Sequence, residues 1–199
     1  NLVDARSNIR NTTSACIIPN SNMLKSWHGH LSDFKSYEAL LAYAASVYQK
    51  KRLAPFFLNH GGAADKALIE AVNRRLAEPV PVINEHDAVK VKKIICESTA
   101  VLSSRYHGCV SALSSGIPCI GTTWSHKYDM LYEEYASSEL LFRPSQTARE
   151  LDALIDLTVR KDCYLLDKIN SNAVKRKSDS VLMWRKVVST LSKYGYTSI

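Results

Sequence analysis

Short apolar runs alternate with amphipathic stretches along most of this 199-residue chain, and no other feature limits its fold as much. The runs at 15–18, 55–58, 80–83, 99–103 and 117–122 are too short for helices and are bounded by Pro, Gly, Asn or Ser. Between them lie stretches with helical spacing. Phe34, Tyr37, Leu40, Leu41, Ala44, Val47 and Tyr48 predict a helix over 34–48, with Ser32 or Asp33 as its cap. Leu68, Ala71, Val72 and Leu76 predict one over 65–77. Further helices are expected at 87–97, at 105–115 ending on Gly116, and at 126–135 with Ser125 as cap. Thr147 and Glu150 form a capping-box pattern ahead of Leu151, Leu154 and Ile155. The stretch 162–194 reads as a helical tail anchored by Trp184 and Leu191.

Strands of four to six residues that alternate with helices make βαβ units. The expected fold class is therefore α/β, a Rossmann-like parallel sheet with helices on both faces. Pro79 and Pro81 flank or enter the third run, which places it at a sheet edge. Three regions are expected: a flexible segment over 1–13, an α/β domain over 14–160 and a helical extension over 161–199.

Parallel connectivity sends every strand-to-helix turn to one edge of the sheet, where ligands of such folds bind. The residues after the five runs are Asn20, His60 with Gly61 and Gly62, Glu85 with His86, Arg105 with His107, and His126 with Lys127. The stretch Ser104-Arg105-Tyr106-His107-Gly108 is the most telling of them. It places a cation and a titratable imidazole in the first turn of a helix, where free backbone N–H groups already favour an anion.

Arg105 can fork onto a carboxylate or phosphate; its alternative is an ion pair with a neighbouring acid. His107 is the candidate acid or base, and its alternative is a hydrogen-bonded core histidine. Lys127 adds a point charge or is a solvated lysine. His60 binds a ligand or shapes its glycine turn.

Formal net charge is +7, but the basic residues lie in scattered clusters on different helices, which argues against a nucleic-acid surface. Five cysteines form no CxxC or Cys/His zinc spacing and read as reduced thiols of a cytoplasmic protein. There is no Walker, GxGxxG or HExxH pattern. No metal ligand set and no cofactor are expected.

Ser103-Ser104-Arg105-Tyr106-His107-Gly108, followed by Ala112-Leu113-Ser114-Ser115-Gly116-Ile117-Pro118, resembles the signature of the polysaccharide pyruvyl transferase family. Ile17-Ile18-Pro19-Asn20 with Met23 is similar to the start of that family's C-terminal half. The resemblance implies a GT-B-type architecture of two Rossmann-like halves, about twice this length, with this chain as the donor-binding half. It implies transfer of an enolpyruvyl unit from phosphoenolpyruvate to a sugar or lipid-linked saccharide, forming a pyruvate ketal in cell-surface or exopolysaccharide synthesis. By position, Arg105 and His107 match the family's donor-binding Arg and His, and Tyr106 supplies backbone contacts between them. Lys127 lies where the family has a further basic residue, although Trp124-Ser125-His126 departs from its usual pattern. Ser104, His60 and Asn20 complete the expected substrate site, with His107 as catalytic acid. The implied location is the cytoplasm, at the inner membrane face where the acceptor is lipid-linked. Two other readings stay open: a GT-B glycosyltransferase using a nucleotide-sugar, and a basic binding module without activity.

Overall fold

The computed structural model describes residues 13–27, 33–122, 125–160, 163–194 and 196. The segment expected to be flexible lies outside them, apart from Thr13. Six strands form one parallel sheet: β1 (Ser14–Ile18), β2 (Ala54–Asn59), β3 (Val82–Asn84), β4 (Ala100–Ser103), β5 (Cys119–Thr122) and β6 (Leu141–Phe142). Their order is β3-β2-β1-β4-β5-β6, the doubly wound Rossmann arrangement. The chain turns back on itself between β1 and β4, which pair Ala15 with Ala100 through Ile18 with Ser103. β3 is an edge strand, as expected, but it begins after Pro79 and Pro81, and the Pro81 carbonyl accepts the Phe57 N–H at 2.9 Å.

Eight α-helices complete the described fold: α1 (Met23–Ser26), α2 (Tyr37–Lys50), α3 (Ala63–Asn73), α4 (Ala88–Cys96), α5 (Tyr106–Leu113), α6 (His126–Glu134), α7 (Ala148–Val159) and α8 (Cys163–Lys193). The sheet is buried on both sides. Alternate residues of β1 divide between two cores: Ala15 and Ile17 meet α2, α3 and α7, whereas Cys16 and Ile18 meet α4, α5, α6 and the start of α8. A strand buried on both faces has no polar alternation to show, which explains the unbroken Ala15-Cys16-Ile17-Ile18 run.

Several expected boundaries shift for local reasons. α2 starts at Tyr37 because Ser36, not Ser32 or Asp33, accepts the Ala39 N–H. Ser32 lies outside the described residues, and the Asp33 carboxylate instead receives the Ala148 N–H of α7 at 2.7 Å. α3 starts two residues early, on a Gly62 cap with φ of 97° that other residues resist. It stops at Asn73, whose side-chain amide clamps both the N–H and the carbonyl of Val80. Ser125 stands at the start of α6 but makes no capping hydrogen bond. The Thr147–Glu150 capping box is formed. β6 and α1 are too short for any periodicity to announce them.

The tail corrects one expectation outright. α8 is anchored by Leu165 and Ile169, both buried in the α5–α6 face. Trp184 is 61% exposed and Leu191 is only partly covered, so neither anchors the helix. From Val174 onward α8 shows Val181, Leu182, Met183, Trp184 and Val188 to solvent. Sequence periodicity identified its apolar face, but periodicity carries no information on whether a face is covered. Among the described residues, no helix is long and apolar enough to cross a membrane.

Candidate functional site

All strands are parallel, so the turns after β1, β2, β3, β4 and β5 lie at one edge, as the alternation required. The strand order reverses between β1 and β4, and it is outside the carboxyl ends of the strands at such a point that ligands of these sheets bind. Arg105 caps α5 beside it, in extended conformation. Ser103 builds this turn: its hydroxyl accepts the Arg105 N–H at 3.1 Å and donates to the Arg105 carbonyl at 2.9 Å. Gly108 keeps the helix close, because a Cβ there would stand 2.5 Å from Ser103 Oγ.

The Arg105 side chain is held by Asp65, a residue the sequence offered only as the start of a helix. Arg105 Nε donates to Asp65 Oδ2 at 2.7 Å, and Nη2 donates to the same oxygen. Asp65 lies in the first turn of α3 and is 1% exposed, whereas the guanidinium side chain is 26% exposed. Asp65 Oδ1 accepts the Ser21 N–H at 2.9 Å, which ties the turn after β1 to the same carboxylate. The guanidinium lies across Gly61, where a Cβ would stand 1.9 Å from Arg105 Nη2. Gly61 is therefore needed for clearance rather than for backbone conformation. Forty residues separate Asp65 from Arg105, so no local spacing could have paired them. Only an acid at a strand–helix junction of the same edge hinted at it.

Below the turn lies a buried polar knot. The Ser104 hydroxyl is bonded to Tyr37 and Thr122 hydroxyls, and its carbonyl accepts from Tyr128 Oη at 2.8 Å and Asn20 Nδ2 at 3.2 Å. The Asn20 N–H donates to Tyr37 Oη at 3.3 Å. Burial pushes the Tyr37 phenol well above its ordinary value, so it remains a neutral member of the network. Ser104 is fully buried and Asn20 nearly so. Both of these expected site residues sit in the floor, where they fix the backbones of the β1 and β4 turns against each other.

The remaining candidates line the rim. His107 is exposed in the first turn of α5, so it is not a core histidine. The Tyr106 ring stands 6.0 Å from the His107 ring, and Lys127 Nζ lies 4.9 Å from the Tyr106 ring centre. Tyr106 thus neighbours both imidazole and ammonium and faces Tyr128 edge-on at 5.6 Å. His60, after β2, is half-buried; its Nε2 is sealed from solvent and has no hydrogen-bond partner. Burial, and then the charge of Arg105, push the His60 imidazole below its ordinary value, with His107 and His86 adding to the effect. His60, His86, Arg105 and His107 thus stand on turns of one sheet edge, with Asp65 paired to Arg105. Among the described residues, no three His, Cys, Asp or Glu side chains are grouped to hold a metal ion.

Fold and edge together define a Rossmann-like domain whose switch-point edge carries Arg105, paired with Asp65, and the imidazoles of His60 and His107 on neighbouring turns. The polysaccharide pyruvyl transferase family model matches residues 17–126, from β1 to the start of α6, and the chain belongs to that family. No curated protein matches it.

Proposed function

We propose that the switch-point edge binds phosphoenolpyruvate and that this chain carries the donor side of a pyruvyl transfer onto a sugar. The observation that carries the reading is the Arg105–His107 turn at the switch point, with its guanidinium fixed by a buried carboxylate. Phosphoenolpyruvate is a compact polyanion, and the guanidinium fork, the Lys127 ammonium and the N–H groups opening α5 suit its phosphate and carboxylate. Membership of a transferase family with polysaccharide acceptors supports the same reading.

The chemistry assigns a role to His107. A proton delivered to the methylene carbon turns it into a methyl group and leaves a cationic centre at the adjacent carbon. One sugar hydroxyl adds there and loses its proton; the carbon–oxygen bond to phosphate breaks. A second hydroxyl of the same sugar adds and loses its proton, which closes the ketal and leaves inorganic phosphate. The exposed His107 imidazole, once protonated beside a bound polyanion, is the donor of the first proton. Arg105 and Lys127 hold the phosphate as negative charge builds on it.

Titration calorimetry with phosphoenolpyruvate, with UDP as comparison, tests the binding. Saturable binding of phosphoenolpyruvate that Arg105→Ala weakens by about 30-fold, while leaving it measurable, is the expected result. Saturable binding of UDP alone would replace the reading with a nucleotide-sugar transferase. In a transfer assay with the natural acceptor, His107→Gln should lose about 100-fold or more in rate while keeping donor affinity within a few-fold. Full transfer by that variant would remove His107 from the acid role.

A further inference from the structure

Asp65 spends both carboxylate oxygens on this site and none on its own helix's interior. Oδ2 takes Nε and Nη2 of Arg105, and Oδ1 takes the Ser21 N–H. Three turns of the sheet edge are joined through it: the one after β1, the one after β2 that leads into α3, and the one after β4. A guanidinium has five N–H donors, and Asp65 occupies two on one edge. No protein acceptor among the described residues occupies Nη1. An arginine fixed along one edge offers the other in a set plane and loses little freedom when an anion arrives. The acid is also almost completely buried, where an unpaired carboxylate would be costly; the pair therefore stays closed.

We propose that Asp65 is the positioning residue of the site: it sets the plane and reach of Arg105 for an oxyanion and locks the β1 turn to that plane. The inference rests on the phosphoenolpyruvate reading for the ligand but not for the geometry, and the experiment separates the two.

The test is a cycle on the full chain. Phosphoenolpyruvate affinity is measured by calorimetry for the wild type, Asp65→Asn, Arg105→Ala and the double variant. The ligand-free proteins are compared by the ¹H–¹⁵N signal of Arg105 Nε, assigned by its loss in Arg105→Ala. Positioning predicts that Asp65→Asn weakens affinity about ten-fold alone and less than about two-fold when Arg105 is already alanine. It also predicts that the Nε proton, protected in the wild type, exchanges rapidly in Asp65→Asn while the backbone amide spectrum is kept. Asp65→Glu, which preserves the charge but displaces it by a methylene, should weaken binding similarly. It supplies the measurement should the asparagine variant not fold. Equal losses in both backgrounds, or an Nε signal unchanged by Asp65→Asn, would overturn the proposal. A wild type that binds no phosphoenolpyruvate but loses Nε protection in Asp65→Asn would overturn the donor reading and uphold the role of Asp65.

Discussion

Gly61→Ala isolates the Arg105–Asp65 pair without touching either charge. Gly61 is exposed and its backbone lies outside the left-handed region, so alanine is acceptable to the main chain. At such a position the substitution ordinarily stabilises by about 0.4–1 kcal/mol through the unfolded state. Here the new methyl group would stand 1.9 Å from Arg105 Nη2, 2.4 Å from Arg105 Cζ and 2.0 Å from Asp65 Oδ2. Ordinary carbon contacts are about 3.5–4.0 Å, so the guanidinium has to move by roughly 1.5 Å or more. Asp65 is short and held by the Ser21 N–H, so it is poorly placed to follow. Breaking a fully buried ion pair costs about 3–5 kcal/mol. Arg105 keeps 26% of its side chain in contact with solvent and can swing outward, which lowers the expected net cost to about 2 kcal/mol. For a chain of this size that is a fall of about 4–8 °C in Tm, read by thermal unfolding under reversible conditions. A Tm equal to or above the wild type would refute the reasoning, because it would mean that the guanidinium does not lie across this glycine.

Gly108→Ala should behave against helix propensity. Alanine gains up to about 1 kcal/mol in a helix interior, but its Cβ would meet Ser103 Oγ at 2.5 Å and Ile18 Cδ1 at 3.0 Å. A net loss of about 1–2 kcal/mol is expected in urea unfolding with an unchanged m value, and a gain would show that Ser103 is not wedged at the Arg105 turn. His60 gives the fold a pH dependence of known sign. Its folded value lies below the unfolded one of about 6.5, so the unfolded chain binds more protons in the window just under pH 6.5. The His60 contribution is fully present above that value and is lost as pH falls toward the folded one. His60→Gln should therefore flatten the decline in unfolding free energy between about pH 6.5 and 5. An unchanged slope would show that the imidazole is not desolvated.

How much of this was legible in advance follows from the range of each interaction. The β1, β2, β4 and β5 runs announced themselves because a strand buried on both faces is a short continuous apolar word. The expected boundaries moved where a side chain closed a turn over a few residues, as Asn73 does on Val80. Arg105, His107 and Lys127 were visible because helix starts after apolar runs are local patterns. Ser104 and Asn20 were singled out by the same logic, yet the fold spends them on the knot under the site.

From residue order alone came the parallel α/β class, the edge to which chemistry-bearing turns must run, and the family-like signature around Arg105. Only the folded chain decided that Asp65 meets Arg105, that Gly61 clears their contact, and that Trp184 faces solvent. The reason is physical. Helical and strand periodicity is written within a few residues, whereas a pairing across forty residues exists only once strand register has brought two turns side by side.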